Sequence, residues 1–467
     1  MKNKPTRLLF LALLLSQIVN GQIVFQKNYG LDTIGDYGNS VIQSSDEGYY
    51  IAGGKVTSNG NSFTGEAIIK RTDKYGNELW TINYSTFGSI DLEFKSIEKT
   101  SDNNLIVTGS VVYPFSGNYT NVYLSKIDTL GNVIWSKNYG GLYRQSAYQV
   151  KETTDGGFVI GGFNEVNGGA ISSFNIIKTN SLGDTIWTKN YPNGMQQYGK
   201  SITQTSDNGY AIAGSITIPT ASGEYFYVIK TNSTGDTIWT KIITDFGNGS
   251  ASEIISKSNG NILLSGYSTL NGCSQPILIK LNSNGDILWS KIYTDGPCGW
   301  AMSICSTNDN GYALLGLDAN YKCYLIKTDS AGNQEWYNKF SEKTFNYGYN
   351  IKQTSDLGYI MIGITSDNNV SNILLIKTNN AGTVLGTENI INEKSKFSAY
   401  PNPTNGIITI NMSEKNVGFR IFNSIGQLLF TKDSNKSIET FDLSNYSNGF
   451  YYIKSGNQTT KIIKHWQ

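Results

Sequence analysis

Four aromatic residues recur at one place in the chain, nine positions before a turn carboxylate or its equivalent: Tyr37, Tyr198, Trp300 and Tyr347. Rings at such a place can stack on sugar faces or on peptide side chains, or pack between structural elements. Tyr148 and Tyr349 lie close by in sequence, with Glu93, Arg144, Gln196, Gln197 and Lys200 as polar neighbours. Asp91, Glu93, Glu165, Glu224, Glu253 and Asp318 supply carboxylates in or near segments of variable length. Two converging carboxylates would suffice for glycoside hydrolysis. The only histidine is His465, three residues from the end. That excludes a His-based triad or a multi-His zinc site from the rest of the chain. No phosphate-cradling Gly-x-x-x-x-Gly-Lys-Ser/Thr run is present.

These residues are set on a seven-fold repeat. A turn centred on Asp46 recurs at Asp102, Asp155, Asp207, Asn259, Asp309 and Asp356. Seven residues after each stands a glycine, Gly53, Gly109, Gly162, Gly214, Gly266, Gly316 and Gly363. A lysine follows at Lys70, Lys126, Lys178, Lys230, Lys280, Lys327 and Lys377. Tryptophan then opens the next apolar run at Trp80, Trp135, Trp187, Trp239, Trp289 and Trp336, with Gly386 in the seventh unit. The tryptophans are 55, 52, 52, 50 and 47 residues apart, the period of four-stranded propeller blades. In the first unit the strands read Ser40–Ser44, Tyr49–Ala52, Glu66–Arg71 and Glu78–Tyr84, here called a to d from the innermost outward.

The predicted fold is all-β: a seven-bladed β-propeller closed by an N-terminal strand, followed by a small C-terminal β-sandwich. Closure follows from two irregularities. Val24 to Gly30 matches the strand Ile134 to Gly140, yet nothing like strands a to c precedes it. The seventh unit has strands a to c and a degraded d. Residues 23–30 are therefore expected to supply the outer strand of the last blade, Phe25 standing in for the missing tryptophan. Recurring glycine, lysine and tryptophan read as scaffold, with the lysines pairing to acidic groups of adjacent blades or covering aromatic surface. The a–b turns carry a single carboxylate in five units, two in the first (Asp46, Glu47) and none at Asn259, which suits side-chain capping of a hairpin better than a calcium loop. No cofactor is expected. Specificity is expected on the side of the disc that carries the b–c and d–a connections. The b–c stretches there shrink from 17 residues (Gly53 to Lys70) to 11 (Gly316 to Lys327).

Residues 1–21 read as a signal peptide, 22–390 as propeller, 391–398 as linker and 399–467 as a second domain. Lys2, Lys4 and Arg7 precede the apolar run Leu8 to Leu15, too short to span a bilayer. Formal charge is +1, and about −2 without that segment, which gives nucleic acid no basic stripe. Cys273, Cys298, Cys305 and Cys323 fall within 51 residues. In an exported chain they suggest two disulfides, with Cys273–Cys298 the preferred pair, against four buried thiols.

After Lys396 the repeat stops. Tyr400-Pro401-Asn402-Pro403 and Gly406 lead into short alternating strands. Next come Asn423-Ser424-Ile425-Gly426-Gln427, Asp442-Leu443-Ser444, Gly449-Phe450-Tyr451 and Lys461-Ile462-Ile463-Lys464. These motifs, in this order, resemble the type A C-terminal sorting domain of the type IX secretion system. The resemblance implies passage across the inner and then the outer membrane, with the secretion machinery as partner. It also implies removal of the domain, and release of the cargo or its attachment at the cell surface. The expected function is non-catalytic: an extracellular or cell-surface disc that engages a glycan or a protein through its variable face. The alternatives are a secreted carbohydrate-active enzyme using paired carboxylates near the channel, and a structural surface protein without a specific ligand.

Overall fold

The computed structural model describes residues 22–30, 35–58, 63–114, 120–140, 144–166, 171–219, 223–270, 272–294, 298–340, 345–367, 370–384, 397–412, 417–423, 427–434, 436–455 and 458–464. Residues 1–21, Gly426 and most of the linker lie outside that set. The chain divides into two compact units, with the boundary between residues 385 and 386.

In the first unit, seven groups of four antiparallel strands follow one another. The first comprises Asp36–Gln43, Tyr49–Ser58, Phe63–Thr72 and Glu78–Tyr84. A single parallel bridge, Gly65 to Asp91, joins it to the second. The last blade holds Phe345–Gln353, Tyr359–Asp367 and Val370–Thr378, and its outer strand is Phe25–Tyr29 from the N-terminus. Phe25 pairs with Lys377 as Trp135 pairs with Lys126, so it occupies the tryptophan position of the seventh blade.

One latch repeats between neighbouring blades. The d-strand tryptophan of one blade lies against the c–d turn glycine of the next: Trp80 on Gly131, Trp135 on Gly183, Trp187 on Gly235. These turn glycines have positive φ, a backbone that side chains disfavour. Tyr84, Tyr139 and Tyr191 then donate their hydroxyls to the carbonyls of Gly131, Gly183 and Gly235 at 2.8, 2.5 and 2.8 Å. At the closure Phe25 lies on Gly76, and Tyr29 donates to the Gly76 carbonyl at 2.6 Å. The N-terminal strand thus uses the same latch as the internal junctions, of which the fourth and sixth keep the tryptophan–glycine contact but carry Ile243 and Phe340 in place of the tyrosine.

Within each blade the turn carboxylate meets a cation of strand c. Asp155 holds Lys178 at 2.9 Å, Asp207 holds Lys230 at 2.8 Å and Asp309 holds Lys327 at 2.6 Å. The pairing is internal to the blade, which corrects the expectation of pairs to adjacent blades. The first blade corrects the register as well: Arg71, not Lys70, pairs with both Trp80 and Asp46, while Lys70 pairs with Glu78. In the fifth blade Asn259 replaces the carboxylate, and Lys280 lies over the Trp289 ring instead. Burial alone would raise Asp155, Asp207 and Asp309. Bonds from a threonine hydroxyl, the lysine ammonium and a glycine N–H outweigh it and hold all three at about 2.

Cys273 and Cys298 form a disulfide, whereas Cys305 and Cys323 are free, buried thiols. The second expected bridge is therefore absent. Cys305 pairs with Ala313 at one end of the sixth blade's strand b, and Cys323 pairs with Leu317 at the other. Four residues of extended chain separate those ends by roughly 13 Å, beyond the reach of a disulfide.

The C-terminal unit packs a three-stranded sheet against a four-stranded one around Ile408, Ile410, Phe419, Ile421, Leu443, Ile453 and Ile462. Its motifs converge on the last strand. Asn402 accepts from the Ile463 N–H at 2.9 Å, and Thr404 N donates to the Ile463 carbonyl at 2.8 Å. The buried Lys464 ammonium bonds the carbonyls of Ser444 and Tyr446, and Gly406 lies where a Cβ would strike Ser444. Tyr400, at the head of the first motif, is exposed, as is Phe450 beside Gly449.

Three outcomes follow. Alkylation of denatured, unreduced protein will label two cysteines, rising to four after reduction, as read by intact mass; zero or four labels before reduction would contradict the assignment. Phe25→Ala will lower unfolding free energy by about 3 kcal/mol in a denaturant titration, because it removes the side chain that fills the seventh tryptophan position. The turn aspartates add stability that is complete above pH ~4, their unfolded range, and is lost as pH falls toward 2, so the denaturation midpoint should drop across that window. A midpoint that is flat down to pH 2 would contradict it.

Candidate functional site

All seven innermost strands carry one extra residue at the same place. The register slips between Gly38 and Ser40, Phe94 and Ser96, Ala147 and Gln149, Gly199 and Ser201, Ala251 and Glu253, Ala301 and Ser303, and Gly348 and Asn350. Each slip is a β-bulge, which bends the strand and re-aims its side chains. The strand b glycine makes room for it. A Cβ on Gly53, Gly109, Gly162, Gly214, Gly266 or Gly363 would strike the carbonyl of the opposing inner strand.

The bulge turns one polar side chain toward the next blade. Ile97 N donates to Ser40 Oγ at 3.3 Å, Val150 N to Ser96 Oγ at 3.4 Å and Ile202 N to Gln149 Oε1 at 2.8 Å. Ile254 N donates to Ser201 Oγ at 3.0 Å, Ile304 N to Glu253 Oε2 at 2.8 Å and Ile351 N to Ser303 Oγ at 3.2 Å. Val41 N closes the circle on Asn350 Oδ1 at 3.3 Å. Seven blades are thus joined by seven bonds in a ring, each satisfying a backbone N–H two residues past the bulge that faces inward from the innermost edge strand, away from strand b.

The bulged residues themselves are Asn39, Lys95, Tyr148, Lys200, Ser252, Met302 and Tyr349. All seven line one cavity of about 370 Å³ on the axis, joined by Glu93, Glu98, Glu253, Tyr267, Trp300 and Lys352. Its floor is charged. Glu98, from the second blade, bonds Lys151 of the third and lies 3.7 Å from Lys352 of the seventh. Burial opposes the charge on Glu98, yet the two ammonium groups hold its carboxyl down at about 2. Glu253 accepts from the Ser303 hydroxyl at 2.5 Å and from Gln149 at 3.4 Å.

The wall is aromatic on one side. Trp300 stacks on Tyr321 with centroids 6.5 Å apart, Tyr321 meets Tyr347 at 5.3 Å, and Tyr347 stacks on Tyr349 at 6.4 Å. The two end rings, Trp300 and Tyr349, line the cavity, and Tyr321 between them stands on the exposed b–c turn of the sixth blade. Of the expected site residues, Trp300, Tyr148 and Glu93 line the cavity, with Tyr349 and Lys200 beside them. Tyr37, Tyr198 and Tyr347 stand behind it, inside their strands and not ahead of them. The Tyr37 hydroxyl reaches Glu93 at 3.5 Å, and Tyr198 packs edge-on to Phe163 at 5.3 Å. Arg144 is exposed and pairs with Glu165 at 3.4 Å, outside the cavity. Asp318 is fully buried, accepting the N–H groups of Asn320 and Lys322 as a turn cap.

The bulge series escaped the sequence reading, although its signal is visible: six residues before every turn Asp or Asn stands Ser, Gln, Glu or Asn, never an apolar residue. Among the described residues, no three His, Cys, Asp or Glu side chains gather as a metal-ligand set, and no helix is long and apolar enough to cross a membrane.

Comparison with known proteins adds the family of the second unit. Residues 398–466 match the family described as the secretion system C-terminal sorting domain. No curated protein matches the chain. Among solved structures, virginiamycin B lyase from Staphylococcus aureus is 13% identical, covering 76% of this chain and 99% of its own, with a TM-score of 0.46. The Pan2 WD40 domain of Neurospora crassa is 10% identical, covering 73% and 89%, with a TM-score of 0.44. PorZ, a surface component of the type IX secretion system of Porphyromonas gingivalis, is 11% identical, covering 90% and 69%, with a TM-score of 0.34. The fold assignment rests on the strand order above, and the C-terminal motifs with the family match carry the remainder: this is a secreted or cell-surface β-propeller protein, and its residues 398–466 are a type IX secretion sorting domain.

Proposed function

We propose that this protein is a non-catalytic extracellular binding protein, exported through an N-terminal leader in residues 1–21. Its ligand is a glycan taken at the channel mouth. The observation that carries this reading is the aromatic run Trp300–Tyr321–Tyr347–Tyr349, whose two end rings line a cavity walled by all seven blades. Sugar rings present C–H faces that pack on such rings while their hydroxyls need polar partners, here Asn39, Ser252 and the upper edge of the polar ring. The site stands on strands locked by inter-blade bonds, which suits recognition without rearrangement. The carboxylates within it have structural work: Glu253 caps a backbone N–H, Glu98 bonds two lysines, and Glu93 pairs with Lys95 at 2.9 Å.

Glycan-array and calorimetric binding of the purified protein tests this. Trp300→Ala should weaken binding by roughly tenfold, the loss of one aromatic contact. Tyr198→Ala, whose ring packs on Phe163 behind the cavity, should leave affinity unchanged. Equal affinity in Trp300→Ala and wild type would overturn the assignment of the mouth, and release of shortened sugars would favour the enzyme reading.

A further inference from the structure

The charges in the cavity are unevenly matched. Three lysines line it. Lys95 is bound to Glu93 at 2.9 Å, and Lys352 stands 3.7 Å from Glu98. Lys200 has a different environment: its ammonium donates to the Ser250 hydroxyl at 2.9 Å and has no ion-pair partner among the described residues. The carboxylate that acts on it from a distance is Glu224, too far for a contact pair, and desolvation pulls its ammonium below the usual lysine range despite that carboxylate. Glu253, the acidic group of the lining with no lysine in contact, already accepts three bonds, from Ile304 N–H, the Ser303 hydroxyl and Gln149. It has little capacity left to neutralise an incoming cation.

Lys200 is also placed by the fold and not by chance flexibility. It is the bulged residue of its blade, between Gly199 and Ser201, so the device that aims seven side chains at the axis aims this ammonium too. Tyr148 on the neighbouring blade carries the Lys95 ammonium over its ring at 4.4 Å. One side of the cavity is therefore cationic with an aromatic plate, and the side across the channel is apolar, formed by Trp300, Met302 and Tyr349. A ligand that satisfies both sides has a ring for the aromatic wall and an anionic group for Lys200. Holding a half-buried ammonium without a carboxylate is unfavourable in the free protein, and a bound anion relieves it.

Resting on the glycan reading above, we propose that the ligand is an acidic glycan, whose carboxylate or sulfate pairs with Lys200 in the channel mouth. The test measures binding of the full protein to trigalacturonate and its carboxyl-reduced form, and to a carrageenan oligosaccharide and its desulfated form, for wild type, Lys200→Met and Lys200→Arg. The proposal expects one acidic probe to bind at least about tenfold more tightly than its neutral counterpart, a charge-assisted hydrogen bond's worth of affinity. Which pair shows the preference separates carboxylate from sulfate. Lys200→Met should abolish the preference, Lys200→Arg should retain part of it, and thermal melting of Lys200→Met should be unchanged or higher, as removal of an unpaired ammonium predicts. Equal binding of acidic and neutral forms, or a preference that survives in Lys200→Met, would overturn the anionic assignment and leave glycan binding standing. Binding of no probe by wild type would overturn both.

Discussion

One extra residue in each innermost strand governs both the stability and the chemistry of this propeller. A β-bulge leaves a backbone N–H without its ladder partner and rotates the flanking side chains. Here the side chain after the bulge reaches an inward-facing edge-strand N–H of the next blade, seven times around, so the ring from Ser40 to Asn350 satisfies the donors at the inner edge of every sheet. The bulge is affordable only where strand b offers a glycine, because the displaced carbonyl occupies the place of a Cβ. Glycine, bulge and ring residue are thus one device spread over two strands and two blades.

The same device separates what must repeat from what is free to vary. Ring residues stay polar because each has a backbone donor to satisfy. The bulged residues have no such duty, and five residue types fill the seven positions: Asn39, Lys95, Tyr148, Lys200, Ser252, Met302 and Tyr349, with lysine and tyrosine each used twice. Outside the ring, the tryptophan–glycine latch and the in-blade Asp–Lys pair hold the scaffold, and Phe25 with Tyr29 extends the latch across the chain's own closure. A rigid circle with seven freely chosen inward positions is a natural place for specificity.

Much of this was legible in the sequence. The blade number follows from the spacing of turn, glycine and tryptophan, and the closure from an orphan strand matched with a missing one. The sorting motifs were readable because they occur in one order, and the structure brings Asn402 of the first to Ile463 and Ser444 of the Asp-Leu-Ser motif to Lys464, both on the last strand. What resisted reading was the local shift that a bulge introduces. It set Tyr37, Tyr198 and Tyr347 within the strands, outside the cavity lining, and it brought Lys95 and Met302 to the axis beside Lys200. Register also misled in the first blade, where two adjacent cations, Lys70 and Arg71, compete for one position and only pairing with Trp80 decides it. The even cysteine count suggested a second disulfide, but only strand pairing shows that Cys305 and Cys323 sit at opposite ends of one blade.

If the seven bulges build the binding site, a crystal structure of the protein with a bound oligosaccharide will show sugar density at the channel mouth, with a ring against Trp300 or Tyr148 and polar contacts to the bulged side chains. Density on the outer strands or at the a–b turns, with the channel mouth left empty, would contradict it.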